Sequence, residues 1–137
     1  VEFARDVAPR NENELQEQFF AWTATVTVGT NPKYKRRLRD FVFAIPNGMH
    51  VAGDARKRAI YVAALKRQGL TPGVSDVFLS LPNEIYHGLY IEFKFGKNKP
   101  SADQAAFQKN MAGAMYQVAV VYTLEEAKTV VGNYLNL

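Results

Sequence analysis

Cysteine is absent from this 137-residue sequence. That excludes disulfide frameworks, thiolate zinc sites and cysteine nucleophiles. Histidine is scarce: His50 and His87 are the only two. Neither has a second ligand at metal-binding spacing, so zinc is not expected, and His87 reads as structural. No apolar run approaches the roughly 20 residues of a membrane-crossing helix. No signal-peptide pattern opens the chain. Repeats, low-complexity tracts and linker-like stretches are missing too. The expectation from these absences is a soluble, cytoplasmic protein with no membrane partner.

What remains is ordinary for a globular fold. Hydrophobic residues make up 47% and charged residues 22%, a balance that disordered chains lack. The length predicts one domain over residues 1–137, large enough to bury a core without staples. The net charge of +4 favours an acidic partner such as nucleic acid.

Periodicity predicts the elements. Leu15, Phe19, Trp22 and Val26 recur at helical spacing from about Asn11, with Asn11 or Asn13 as the cap and Gly29 as the stop. Residues 41–45 form an apolar run before Pro46-Asn-Gly48, which reads as a strand and a turn. A second helix covers 54–67 and closes at Gly69. Residues 77–81 and 88–95 read as strands, the latter with Leu89, Ile91, Phe93 and Phe95 on one face. Ser101 caps a third helix running to about Gly113, 116–122 is a further strand, and Thr123 to Glu126 opens a last helix with a capping box. The order α-β-α-β-β-α-β-α predicts a mixed α/β fold with helices around a central sheet.

Two acids stand out because they sit on strands and not on solvated helices. Asp76 begins an apolar strand just after the turn at Gly73, and Glu92 lies inside the apolar strand 88–95. A carboxylate there is costly to bury unless a cation or hydrogen bonds compensate it. Lys94, two residues on, shares the face of Glu92, because strand side chains alternate. A Glu-x-Lys triplet alone reads first as an ion pair on an exposed sheet face. Asp76, one hairpin away, is what favours a cation site: paired oxygen donors suit Mg²⁺ or Mn²⁺.

Taken in order, Ile45-Pro-Asn-Gly48, Leu65 through Thr71-Pro-Gly-Val-Ser-Asp76, Tyr86 through Glu92-Phe-Lys94, and Ser101-Ala-Asp-Gln104 resemble the VRR-Nuc family, a branch of the PD-(D/E)XK nucleases. The resemblance spans the chain from about Glu12 to the last helix. Ser75 departs from it, standing where a proline commonly precedes the acid. The resemblance implies a restriction-endonuclease-like fold with a mixed central sheet flanked by helices. It implies metal-dependent endonuclease chemistry on DNA at Asp76, Glu92 and Lys94, with the carbonyl of Phe93 as a further metal ligand. It also places Gln104 beside the active site, although Ser101-x-x-Gln104 is by itself a complete capping box.

The family pattern further implies an acid and a glutamine on the first helix. Measured from Leu15, Glu14 lies about 100° round the helix and flanks the apolar stripe, with Gln18 four residues on. Glu14 is therefore the expected site acid and metal ligand, Glu12 the second choice, and Glu17 solvated. A first-turn acid is equally explained by the helix dipole.

Phosphate contacts are sought among Lys33, Lys35, Arg36, Arg37, Arg39, Arg56, Lys57, Arg58, Lys97 and Lys99. Lys97 and Lys99 are preferred because their loop follows Lys94, with Lys35, Arg36 and Arg37 next. Such contacts give affinity without sequence reading. A lone nuclease domain resembles the stand-alone bacterial or phage members, which implies branched DNA such as a Holliday junction as substrate. Cutting two strands of a junction symmetrically implies a homodimer. Flaps, nicked duplex and single strands are the alternative substrates, and a catalytically silent DNA-binding module is the alternative class.

Overall fold

Four strands carry the core, and their order follows from where each connection can reach. The computed structural model describes residues 7–29, 33, 35–46 and 53–137. Its elements are α1 (Glu12–Thr23), β1 (Thr27–Val28), β2 (Arg36–Arg37), a 3-10 helix (Leu38–Phe41), β3 (Val42–Ala44), α2 (Ala55–Arg67), β4 (Val77–Leu79), β5 (Leu89–Phe93), α3 (Ala102–Gly113), β6 (Gln117–Val121) and α4 (Leu124–Leu135). The main sheet runs β3-β4-β5-β6. The first two pairings are antiparallel, whereas β5 and β6 are parallel. A parallel pair needs a crossover, and α3 supplies it.

Leu89, Ile91 and Phe93 are fully buried on one sheet face with Val77, Leu79, Leu15, Phe19 and Val131, so α1 and α4 cover that side. The other face carries Phe78 and Tyr90, whose rings lie 4.5 Å apart, and Phe107 of α3 meets Tyr90 edge-on at 5.1 Å. Glu92 and Lys94 share that second face. Ser101 Oγ accepts from the Gln104 N–H, and Thr123 likewise caps α4. Glu126 closes its bond on the Tyr122 N–H, one residue before the cap expected to receive it.

Three expectations are refined. The basic run holds β2 and the 3-10 helix, and β2 pairs with β1 in a two-stranded ribbon. Strand β5 ends at Phe93, so Phe95 has left the core and is 36% exposed. Asn11, and not Asn13, caps α1, accepting from the Glu14 N–H at 2.9 Å. Residues Asn47, Gly48 and His50 lie outside the described residues. No helix among the described residues is long and apolar enough to cross a membrane.

Candidate active site

Register brings the two strand acids together. Val77 pairs with Ile91, Phe78 with Tyr90 and Leu79 with Leu89. Extending that antiparallel register by one step sets Asp76 opposite Glu92 on the same face. The main chain then laces them. The Asp76 N–H donates to Glu92 Oε2 at 3.2 Å, and the Phe93 N–H donates to Asp76 Oδ2 at 2.8 Å. Lys94 Nζ lies 3.6 Å from Glu92 Oε1. Glu92 is only 2% exposed and Lys94 9%.

Gln104 joins from α3. Its side-chain oxygen accepts from the Ser101 N–H at 2.8 Å, completing the capping box, while its Nε2 donates to Glu92 Oε1 at 2.6 Å. One amide thus caps the start of the helix and grips the carboxylate. Gly73 sets how close that helix start comes. Its φ is +89°, and a Cβ there would lie 2.4 Å from the Asp103 carbonyl carbon and oxygen and 2.7 Å from the Gln104 nitrogen. Only a residue without a side chain lets the turn before Asp76 touch the first turn of α3.

The electrostatics are those of two crowded carboxylates. Burial pushes the Asp76 carboxyl up, against the Phe93 N–H, while the charge of Glu12 adds to the rise. Glu92 is pushed up to about 7, first by burial and then by the charge of Asp76, despite the ammonium of Lys94. Excess negative charge in a half-dry site is what a divalent cation offsets.

The two first-helix acids have different partners. Glu14 accepts from the Arg10 main-chain N–H at 2.8 Å and from the Arg10 guanidinium, which holds its carboxyl below the usual range. Gln18 donates to the Val7 carbonyl at 2.6 Å. Both therefore hold the segment that enters α1. Glu12 is the acid whose charge Asp76 feels. The reason is the true axis of the helix. Leu15, Phe19 and Thr23 are all fully buried, and at 100° per residue their mean direction lies about 20° from Glu12 but about 140° from Glu14. Measuring from Leu15 alone hid this. Asn98 Nδ2 donates to Glu12 Oε1 at 3.4 Å, and Tyr122 Oη donates to the Asn98 carbonyl at 2.9 Å, tying the loop after β5 to this acid.

Lys97 and Lys99 are exposed in that same loop. Lys35, Arg36 and Arg37 are exposed on the β1–β2 side, where the Leu38 N–H donates to the Val26 carbonyl. That is the C-terminal end of α1, roughly 16 Å along the helix from Glu12. Lys97 and Lys99 flank Asn98, the residue that bonds Glu12. His87 donates its main-chain N–H to the Met115 carbonyl and packs its ring 5.5 Å from Tyr116, a structural placement.

Among the described residues, no three acidic or histidine side chains form a ready metal cage. Mg²⁺ does not require one: it typically takes one or two carboxylates and completes its shell with water and substrate phosphate. Asp76 and Glu92, with the peptide of Phe93 against Asp76, fit that donor set.

The sequence matches no family model and no curated protein. Among solved structures it is similar to a "VRR_NUC domain protein", with a TM-score of 0.74, 21% identity, and coverage of 95% of this chain and 91% of the other. The two share a fold: a restriction-endonuclease-like mixed sheet flanked by helices.

Proposed function

We propose that this chain is a VRR-Nuc-type nuclease that hydrolyses phosphodiester bonds in DNA with Mg²⁺ or Mn²⁺. The observation that carries the reading is the placement of Asp76 opposite Glu92, with Lys94 and Gln104 both on the Glu92 carboxylate. The fold shared with a VRR_NUC domain protein supports it. Asp76, Glu92 and the Phe93 carbonyl are the residues that would hold the cation, with Glu12 at the rim. Bound there, the cation supplies charge neutralisation at the scissile phosphate and a more acidic attacking water.

The chain's own groups do the rest. Lys94 sets a positive charge beside Glu92 and opposes negative charge gathering on the phosphoryl oxygens. Gln104 fixes the rotamer of Glu92 while itself fixed by the Ser101 cap. The exposed Lys97 and Lys99 hold the backbone of the substrate strand. Branched DNA is the preferred substrate in this reading, cut by a homodimer, since paired nicks across a junction need two sites.

The test incubates purified protein with Mg²⁺ or Mn²⁺ and labelled four-way junction, flap, duplex and single-stranded DNA, beside Glu92→Ala. Metal-dependent paired nicks in the junction, absent from the variant, are expected. Cutting of a different substrate would keep the site and discard the junction. Binding without cutting at any metal or salt condition would sink the nuclease reading and leave a DNA-binding module.

A further inference from the structure

Helix α2 buries none of its 13 residues. Isolated helices of that length are marginal in water, yet this one is capped at both ends. Asp54 accepts from the Lys57 N–H at 2.8 Å, and the Leu70 N–H donates to the Leu65 carbonyl at 2.9 Å around Gly69, whose φ is +104°. Its composition is one-sided. Arg56, Lys57, Arg58, Lys66 and Arg67 lie within it, and no acid does. Val62 and Leu65 are half-covered. Roughly opposite them on the wheel runs an exposed stripe, Arg56, Ile60, Ala63 and Arg67, gathered within about 60° of one another. Ile60 is 61% exposed.

The place of α2 in the chain is also specific. It belongs to an excursion whose two ends return to Asp76: the Ile45 N–H donates to the Asp76 carbonyl at 2.7 Å, and the excursion closes through Gly73. The last residue of this cationic helix, Arg67, is thereby joined to Asp76 by a short stretch of chain that passes through Gly73. A second copy of α2 is a poor occupant of its outer face, because antiparallel pairing would set Arg56 against Arg67 at each end, with no acid in either helix. A polyanion suits it. Arg56 and Arg67 stand about 16 Å apart, roughly five base-pair steps of duplex.

We propose that the outer stripe of α2 grips the phosphate backbone of a duplex DNA arm beside the cleaved bond, through Arg56 and Arg67 within the stripe and Lys57 on its flank, with Ile60 lying between against the sugars. The choice of DNA as the polyanion rests on the nuclease reading of Asp76 and Glu92.

The test compares the wild type with Arg56→Ala/Lys57→Ala/Arg67→Ala. Alanine at exposed helical positions favours the helix, so α2 is kept, and circular dichroism checks it. Binding to labelled duplex and four-way junction is measured in EDTA across a salt series, and cleavage with Mn²⁺. The expected variant binds at least about tenfold more weakly at 0.1 M salt, with a slope of log K against log salt shallower by roughly 2–3. Its loss of cleavage falls on KM and not on kcat. Unchanged affinity and slope, or a changed oligomeric state in the variant, overturns the proposal, the latter because α2 would then be a protein contact. Failure of the wild type to bind DNA overturns it as well. Wild-type binding that depends on α2, without cutting under any metal condition, leaves the inference standing and removes only the nuclease reading.

Discussion

Glu12 and Glu14 are two residues apart on α1, yet they face different problems. The carboxylate of Glu14 is saturated by Arg10, a pair that helps fix the incoming segment. That of Glu12 is shared with Asn98 and adds to the negative field at Asp76. A first-turn acid is also favoured by the helix dipole at either position, so residue type alone does not separate them; direction does. The expected outcome is that Glu12→Gln weakens Mn²⁺ binding and cleavage by tenfold or more, while Glu14→Ala keeps cleavage within about twofold. Metal titration by calorimetry and initial cleavage rates check it. If Glu14→Ala, and not Glu12→Gln, removes activity, the assignment from the helix axis is wrong.

At the level of elements, the site depends on a contact between a turn and a helix start. Gly73 approaches the Asp103 and Gln104 backbone so closely that a methyl group must displace one of them. Its left-handed φ adds about 1–2 kcal/mol for any other residue. Gly73→Ala is therefore expected to lower unfolding free energy by at least that amount in urea titrations. It should also depress cleavage by moving Gln104 off Glu92, even where the fold survives. A variant with normal stability and cleavage would mean that the turn and α3 are not mechanically joined.

These elements differ in how far they were legible beforehand. The Ser101-x-x-Gln104 box, the alternation around Glu92 and the turn at Gly73 are local patterns, and local patterns survive folding. The capping rule placed Gln104 at the start of α3, and the observed amide closes that cap and also bonds Glu92. The direction of the first-helix acids was not legible from one reference residue, because the axis of an apolar stripe is an average over Leu15, Phe19 and Thr23. Nor was the β1–β2 ribbon, two residues a strand, too short to show a period. The exposure of α2 was hidden by its own composition. Ile60, Tyr61, Val62 and Leu65 are apolar, yet the folded chain leaves the helix without a buried residue.

Across the whole molecule, the paired acids make stability depend on pH and on metal together. Glu92 is pushed up to about 7 in the fold, from the ordinary carboxylate range near 4.5. A raised folded pKa means that the native state holds the proton more tightly than the unfolded chain. The associated stability is present below about pH 4.5 and is lost as pH rises through about 7. Metal-free protein should therefore lose stability across that window, relative to Asp76→Ala, where the charge that helps raise Glu92 is gone. Mg²⁺ or Mn²⁺ acts in the opposite sense, because it binds the deprotonated pair in the folded state and not the scattered carboxylates of the unfolded chain. At a hundredfold excess over Kd the linkage contributes about 2.7 kcal/mol. For a chain of this size that corresponds to a rise in Tm on the order of 10 °C. Thermal melts at pH 5 and pH 8, with and without metal, check both signs. The expected metal shift is large at pH 8, small at pH 5, and abolished in Asp76→Ala. An equal shift in that variant would place the bound cation somewhere other than the β4–β5 hairpin.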